Sequence, residues 1–245
     1  MSRTHFYGTL VGKKVVVAVS GVILFGFLLG HMTGNIKVFL GDEANGVPKI
    51  DVYGYFLRTM GEPIFSYGQM LWIVRIVLIT ALLAHVVTVI LLAVHNRNAR
   101  PVRYAQTKRI AATPSARFMM WSGLFILAFV IFHILHLTTG SLDPKHFVQD
   151  RVYGNLYRAF HNGGFVVIYV TAMVFLALHL YHGIWSLFQT LGLDNPDRNK
   201  RLRMFAALAT LALLLGFASV PLGMFLGDMP EPPNPANLPP PYGGR

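Results

Sequence analysis

Four histidines lie inside long apolar stretches of the chain, one in each of four successive stretches: His31, His85, His133 and His179. An imidazole within a bilayer is costly unless it has a partner or a function. At about 1.5 Å of rise per residue, His31 and His133 lie at one depth and His85 and His179 at another, roughly 9–13 Å away. The spacing therefore predicts two pairs of imidazoles at two levels of a membrane.

Paired imidazoles at two levels are the arrangement that two haem irons require. Two neutral imidazoles fill both axial positions of a haem iron, so such a centre passes electrons and does not bind oxygen. The chain has no cysteine, which excludes thiolate ligation, thioether-attached haem and cysteine-held iron–sulfur clusters. We predict two stacked, non-covalent b-type haems, with His31 and His133 as ligands of one iron and His85 and His179 as ligands of the other.

Three further residues are predicted to bind the haems. His136 and His182 each follow a predicted ligand by three residues, on the same helix face. Either histidine could replace that ligand; the alternative is a hydrogen bond to a haem propionate, a quinone or another helix. Arg75 lies roughly 18 Å into its predicted helix. We expect it to contact a propionate of the outer haem, the alternative being that its side chain reaches back to the membrane interface.

Polar residues near the outer haem are candidates for a quinone site, because a quinone carbonyl needs hydrogen-bond donors and a route for protons. Glu62 is a candidate proton carrier, because a carboxyl at a membrane interface can accept and release protons. Its alternative role is that of a charge favoured by the dipole at a helix N-terminus. We predict Tyr53, Glu62 and His161 as catalytic residues of this site, and Tyr55 and Arg58 are further candidates.

The composition is that of a membrane protein. Of the 245 residues, 54% are hydrophobic and 13% are charged, whereas soluble domains carry about 25% charged residues. The net charge of +11 is explained by basic loops on the inner side of a membrane, so no nucleic-acid partner is expected. The first apolar run lacks a cleavage pattern and is interpreted as a spanning helix.

Five apolar stretches reach the ~20 residues that cross a bilayer. The predicted helices I to V cover about 13–39, 63–94, 115–139, 161–191 and 204–226. Pro63 suits the first turn of helix II, where its missing N–H is not needed. The predicted fold is all-α: a polytopic membrane protein whose residues 1–226 form a five-helix bundle around two stacked haems. A proline-rich tail over 227–245 is expected to be disordered or extended, outside the cytoplasm.

The distribution of Lys and Arg predicts the orientation. With the N-terminus inside, thirteen of the 21 Lys and Arg residues lie in inner segments and seven in outer ones, which places the N-terminus in the cytoplasm. The basic loop from Arg97 to Arg117 either binds a partner subunit or meets anionic lipid headgroups. No Asp or Glu lies in the apolar centre of a helix, so no carboxylate relay across the membrane is predicted.

Several segments resemble a known family. They are GHMTGN around His31, LLAHVV around His85, FHILHLTTG around His133, LHLYHGIWSLF around His179 and VYGYFLRTMGEP before helix II. They resemble the five-helix, single-chain dihaem cytochrome b subunit of succinate dehydrogenase and fumarate reductase. The resemblance extends from about Lys13 to Leu226, and its most specific parts are the order of the histidines and the HxxHGxW stretch.

The resemblance implies a membrane anchor for a cytoplasmic flavoprotein and an iron–sulfur protein, in the plasma membrane of a prokaryote. Helices I and III would ligate the outer haem and helices II and IV the inner haem, with menaquinone as the quinone. The subunit would pass electrons between the iron–sulfur protein and menaquinone, in the respiratory chain and the tricarboxylic acid cycle. The presence of a further small membrane subunit stays open. The chain has no flavin or nucleotide motif, so its own chemistry is limited to the quinone.

Two alternatives remain open from the sequence. The chain could be the cytochrome b anchor of another respiratory dehydrogenase, although such anchors usually have fewer helices and other histidine patterns. It could also be a transporter whose buried histidines bind a substrate or protons without haem. Transporters commonly show inverted repeats and broken helices, whereas Pro63 and Pro221 are expected near helix ends.

Overall fold

The computed structural model describes residues 6–99, 114–193, 195–227 and 229–239. Seven α-helices occur within these ranges: α1 (Leu10–Ile36), α2 (Lys49–Thr59), α3 (Gln69–Asn98), α4 (Pro114–His133), α5 (Val152–Phe160), α6 (Gly163–Thr190) and α7 (Pro196–Leu226). Five of them, α1, α3, α4, α6 and α7, are long and apolar enough to cross a membrane. The predicted all-α fold with five spanning helices is confirmed in this respect.

The helices extend further into polar sequence than their apolar stretches indicate. Helix V was placed at 204–226, but α7 begins at Pro196, where the Asn195 side chain accepts a hydrogen bond of 2.9 Å from the Asp197 N–H. Proline at the first helical position after an asparagine cap is a favourable start. A helix can extend beyond the membrane into water. Hydropathy therefore identifies the apolar part of α7 but not its polar first turns.

The predicted start of helix II is wrong. The cis Glu62–Pro63 peptide lies in a turn, and α3 begins only at Gln69, after Gly68 with a φ of 77°. Pro63 is therefore not in a first helical turn, and Glu62 is not at a helix N-terminus. Arg75 lies six residues into α3, roughly 9 Å from its start rather than 18 Å.

Two short helices occupy segments predicted as loops, 40–62 and 140–160. These helices, α2 and α5, pack against each other at one end of the bundle, hereafter the α2/α5 end. The buried Asp51 carboxylate accepts a 2.8 Å hydrogen bond from the Tyr153 N–H. An ion pair of 2.6 Å joins Arg58 to Asp150. These polar contacts supplement an apolar core that the two helices share through Ile50 and Leu156, and a hydropathy pattern does not reveal which polar groups will pair.

The proline-rich segment after α7 folds back onto α5. Tyr153 Oη donates a 2.7 Å hydrogen bond to the Pro230 carbonyl, and Arg151 Nη2 donates a 3.3 Å one to the Pro233 carbonyl. Leu238 is buried. Residues 229–239 are thus packed along α5 with one short 3-10 turn, Pro235–Asn237. The last six residues of the predicted tail, like most of the basic loop from Arg97 to Arg117, lie outside the described residues.

The spanning helices alternate in direction. Because α2 and the α3 start follow α1, and α5 follows α4, both α1 and α4 run towards the α2/α5 end, whereas α3 and α6 run away from it. α1 packs mainly on α3, α4 on α6, and α7 on α6 and α1. Ala172 and Met173 of α6 and Leu213 and Phe217 of α7 form the core between those two helices. This arrangement sets α1 beside α3 and α4 beside α6, and side chains of these four helices can meet inside the bundle.

The buried carboxyl of Asp51 gives the α2/α5 end a predicted pH dependence. Burial raises the pKa of Asp51, and the backbone amides of Tyr153 and Val152 and the charge of Arg151 offset only part of this rise. A group whose pKa is higher in the folded chain stabilises it fully below the ordinary Asp pKa of about 3.9 and less as the pH rises through the folded pKa. Asp51 is therefore expected to stabilise this end most in acid.

We expect Asp51→Asn to abolish that dependence, because the amide is neutral at every pH and keeps an oxygen that accepts from the Tyr153 N–H. The measurement is hydrogen exchange at the Tyr153 amide between about pH 4 and pH 7, corrected for the intrinsic rate. In the native protein, protection falls as the pH rises; in Asp51→Asn it stays constant. Asp197→Asn, at an exposed position at the other end of the bundle, is the control that keeps the native slope. A flat native profile would contradict this account.

Candidate functional site

The first imidazole pair consists of His31 on α1 and His133, the last residue of α4. Their ring centroids are 5.8 Å apart and their planes meet at 77°. On each helix a phenylalanine one turn earlier stacks on the histidine: Phe27 at 5.2 Å from His31 and Phe129 at 5.9 Å from His133. Phe217 of α7 lies 5.7 Å from His31. An aromatic shell thus holds both imidazoles of the first pair near the α2/α5 end.

The second imidazole pair consists of His85 on α3 and His179 on α6, with ring centroids 6.5 Å apart and planes at 60°. Each ring is bound on its Nδ1 side by a serine of a neighbouring helix. Ser20 Oγ on α1 lies 3.1 Å from His85 Nδ1, and Ser122 Oγ on α4 lies 3.4 Å from His179 Nδ1. The histidines that the predicted depths matched are therefore the ones that meet in space.

A glycine beside each serine makes room for the histidine ring. A Cβ atom built on Gly21 would lie 3.5 Å from His85 Cε1, and one on Gly123 would lie 3.3 Å from His179 Cε1. The second distance is shorter than ordinary van der Waals contacts to a Cβ, so α4 approaches the ring closely because position 123 has no side chain. The two serine–glycine pairs thus make equivalent contacts with the two imidazoles of the second pair.

Ser20 and Ser122 are not among the residues predicted for the site, although a repeated pattern in the chain marks them. Ser20-Gly21 and Ser122-Gly123 are each followed, after nine residues, by a histidine of the first pair, His31 or His133. The repeated pattern SG-x9-H places one serine–glycine pair and one histidine on each of α1 and α4. Eleven residues from serine to histidine correspond to roughly 16 Å along the helix axis, more than the predicted separation of the two levels.

Tyr169 of α6 links the first pair to a third histidine. Its hydroxyl lies 3.3 Å from His133 Nδ1 and 3.0 Å from His136 Nδ1. His136 is buried and belongs to the π-helical turn Ile134–Thr138 that continues α4; such turns are frequent at functional sites. Among the roles predicted for His136, the structure has the hydrogen bond to another helix. His182 lies partly buried one turn after His179, and its role stays a prediction.

Arg75 lies close to the exposed Trp72 of its own helix, with its guanidinium carbon 4.9 Å from the ring centroid. A cation above an exposed tryptophan near a helix end is typical of a side chain that reaches towards the membrane interface. Its contact with a haem propionate stays a prediction, and its position near the start of α3 is shallower than the predicted depth of roughly 18 Å.

The predicted quinone-site residues all lie at the α2/α5 end, where the first pair also lies. Tyr53 packs on Gly34, whose added Cβ would lie 2.6 Å from Tyr53 Cε1, and Lys37 Nζ is 5.2 Å from the Tyr53 ring centroid. Glu62 is exposed in the turn after α2. His161 is exposed and its Nδ1 donates to the Tyr157 carbonyl at 2.7 Å. In the described ranges no hydrogen bond or ring contact joins Tyr53, Glu62 and His161.

The other two candidates at this end are already engaged. Tyr55 lies 6.3 Å from Tyr67, measured between ring centroids. Arg58 forms the ion pair with Asp150, and its Nη1 also donates to the Gly54 carbonyl at 2.7 Å. Both residues therefore stabilise the α2/α5 end, and the ion pair holds α2 against the start of α5.

The distances between the ring centroids of the two pairs leave room for a metal ion between each pair of imidazoles. At metal–nitrogen distances of about 2 Å, two such rings have centroids roughly 6 Å apart. The observed 5.8 Å and 6.5 Å agree with this value. In the described part of the chain no three His, Cys, Asp or Glu side chains form a metal-binding group. Each pair thus offers two nitrogen ligands, the number of axial positions in haem iron.

Comparisons with known proteins identify no relative: no protein-family model, no curated protein and no solved structure matches the chain.

Proposed function

We propose that this chain is the membrane anchor and dihaem cytochrome b subunit of a succinate:quinone oxidoreductase. It would pass electrons between a cytoplasmic iron–sulfur subunit, attached to a flavoprotein, and menaquinone. One observation carries the proposal: two pairs of partly buried imidazoles, each pair contributed by two spanning helices, meet at two levels of one bundle. The resemblance of the histidine segments to dihaem anchor subunits supplies the kind of enzyme.

Each haem would be held by one of the two imidazole pairs, His31 with His133 and His85 with His179. A bound haem would supply reversible one-electron transfer, and an iron held by two imidazoles would have no open position for oxygen. Three of the four imidazoles have a hydrogen-bond partner on Nδ1, which would leave Nε2 as the nitrogen that could hold a haem iron. For His133 the partner is the Tyr169 hydroxyl, and for His85 and His179 the partners are serines.

Quinone would bind at the α2/α5 end, beside the first pair. The neutral His161 ring has its proton on Nδ1, which donates to the Tyr157 carbonyl, so its Nε2 is free to accept a proton from a quinol. The Tyr53 hydroxyl would donate a hydrogen bond to a quinone carbonyl. The exposed Glu62 carboxylate would pass protons to the aqueous side.

The opposite end of the bundle would face the cytoplasm and the iron–sulfur subunit. It presents basic side chains at the end of α3 and the start of α7, among them Arg97, Arg198, Lys200 and Arg201. Arg203 lies 4.6 Å above the Trp185 ring, which joins α6 to α7 at this end. The positive-inside rule supports the cytoplasmic orientation. Anionic lipid headgroups are the other partner that such a surface suits.

The proposal is tested by isolating the chain from its native membrane under mild detergent. We expect a flavoprotein and an iron–sulfur protein to copurify, and we expect succinate to reduce the haem of the isolated complex. Malonate, which competes with succinate, should prevent the reduction and serves as the control. Haem that another dehydrogenase reduces would move the chain to a different respiratory enzyme. A haem-free chain would support the transporter instead.

A further inference from the structure

We propose that Ser20 and Ser122 are positioning residues for His85 and His179, each fixing one imidazole of the second pair by accepting a hydrogen bond from its Nδ1–H. The inference rests on the proposed function only for the group that the imidazoles bind. The serine–histidine bonds themselves are a property of the folded chain.

Each serine hydroxyl has a backbone carbonyl of its own helix as an acceptor, and a carbonyl of the same turn, that of Val17 or Met119, also hydrogen-bonds the histidine. Ser20 Oγ donates to the Val16 carbonyl at 2.7 Å and Ser122 Oγ donates to the Met119 carbonyl at 3.0 Å. A serine whose proton goes to its own backbone can only accept from the imidazole, and the Val17 and Met119 carbonyls can also only accept, so both kinds of contact favour a proton on the histidine Nδ1. The other nitrogen of each ring, Nε2, then keeps a free lone pair for a ligand bond.

Burial makes these bonds strong constraints. Ser20 is 4% exposed and Ser122 is 1% exposed, and in an apolar bundle a buried polar group without a partner is costly. The glycines that follow them admit the imidazole edge. Each ring is thus fixed both in its protonation state and in its position relative to α1 or α4.

Serines in spanning helices often bond only to their own backbone, and α7 provides such a case for comparison. Ser219 Oγ donates to the Gly216 carbonyl at 2.8 Å. Ser20 and Ser122 make the same kind of backbone bond but differ from Ser219 in that each reaches a histidine of another helix. The shared SG-x9-H pattern shows the same use of serine twice, on two helices, which a chance contact would not reproduce.

The first test measures haem in the full-length chain with Ser20→Ala, Ser122→Ala and the double variant. Loss of a partner on the far ring nitrogen typically lowers metal affinity about 10–100-fold. We expect this loss at one of the two haems only, together with a higher midpoint potential, because an imidazole that donates no hydrogen bond is a weaker base. The double variant should lose more than either single one. Ser20→Thr, which keeps the hydroxyl, should restore the native potential.

Ser219→Ala is the matched control and should leave both haems unchanged, because it removes a backbone bond without touching a histidine. Equal shifts of both haem potentials in Ser20→Ala, or shifts as large in Ser219→Ala, would overturn the positioning role. A native potential in the double variant would do the same.

The second test separates this inference from the proposed function. In haem-free protein, nitrogen-15 NMR of the side chains reports which ring nitrogen is protonated. We expect the Nδ1–H form for His85 and His179 in the native chain, and a shifted Nδ1 signal for His85 in Ser20→Ala and for His179 in Ser122→Ala. A protein that never binds haem but shows these signals would end the haem proposal and keep the serine–histidine bonds. Native rings protonated on Nε2 would end the inference.

Discussion

Alanine in place of His31 or of His133 removes the same one of two b haems, and alanine in place of His85 or of His179 removes the other. Each substitution should lower the haem content from two to one per chain, because an iron that loses an axial imidazole no longer has both protein ligands that hold it. The two pairs follow from the ring distances of 5.8 Å and 6.5 Å. Haem per polypeptide and the reduced-minus-oxidised spectrum of each variant give the measurement.

His146→Ala is the control for this series. His146 is exposed, and its Nδ1 lies 2.8 Å from Asp143 at the surface, so its loss should leave both haems in place. The double variant His31→Ala with His133→Ala should keep one haem, as either single variant does. Loss of both haems from every ligand variant would contradict the assignment of one haem to each pair. If His136→Ala or His182→Ala removed a haem while the proposed ligand beside it proved dispensable, the ligands would have to be reassigned.

A bulky side chain at Gly21 or Gly123 should abolish binding of the second haem, which the second imidazole pair would hold, and leave the haem of the first pair in place. A Cβ at these positions already lies 3.5 Å and 3.3 Å from the Cε1 atoms of His85 and His179. The branched side chain of leucine therefore displaces the imidazole, and the second pair can no longer present two opposed nitrogens. We expect Gly21→Leu and Gly123→Leu to bind about one haem per chain.

Gly30→Leu is the matched control, on the same helix as Gly21. An added Cβ at Gly30 meets nothing within 4 Å, so the second haem should be retained in this variant. The comparison is made on haem content and on the spectrum of the second haem. If Gly123→Leu still bound the haem of the second pair in full, that haem would not require His179 to lie against α4.

The fold was predictable from the sequence because hydropathy and length suffice to find spanning helices. The pairing of the histidines was predictable as well, since a helix converts residue number into depth at a constant rise. That relation tolerates errors at the helix ends, which is why His31 still meets His133 although α1 begins at Leu10 rather than Lys13. The identity of the bound group and of the partner subunits stays a prediction.

Other features could not be predicted from hydropathy. The short helices α2 and α5 meet through an apolar core that includes Ile50 and Leu156 and through polar contacts such as Asp51 with the Tyr153 amide. The apolar face of so short a helix does not tell which partner it will meet. The start of α3 depends on the turn around Pro63 and on Gly68, and proline alone is compatible with either a turn or a first helical turn. Ser20 and Ser122 became visible only when their distances to the histidines were known, although their repeated spacing was present in the sequence.

The most direct test of the central claim is the reduced-minus-oxidised spectrum of the purified native chain, with haem quantified per polypeptide. The account predicts two low-spin b haems per chain, because the bundle presents two separate pairs of imidazoles. A colourless chain, purified from cells supplied with haem and folded as judged by its helical content, would contradict it.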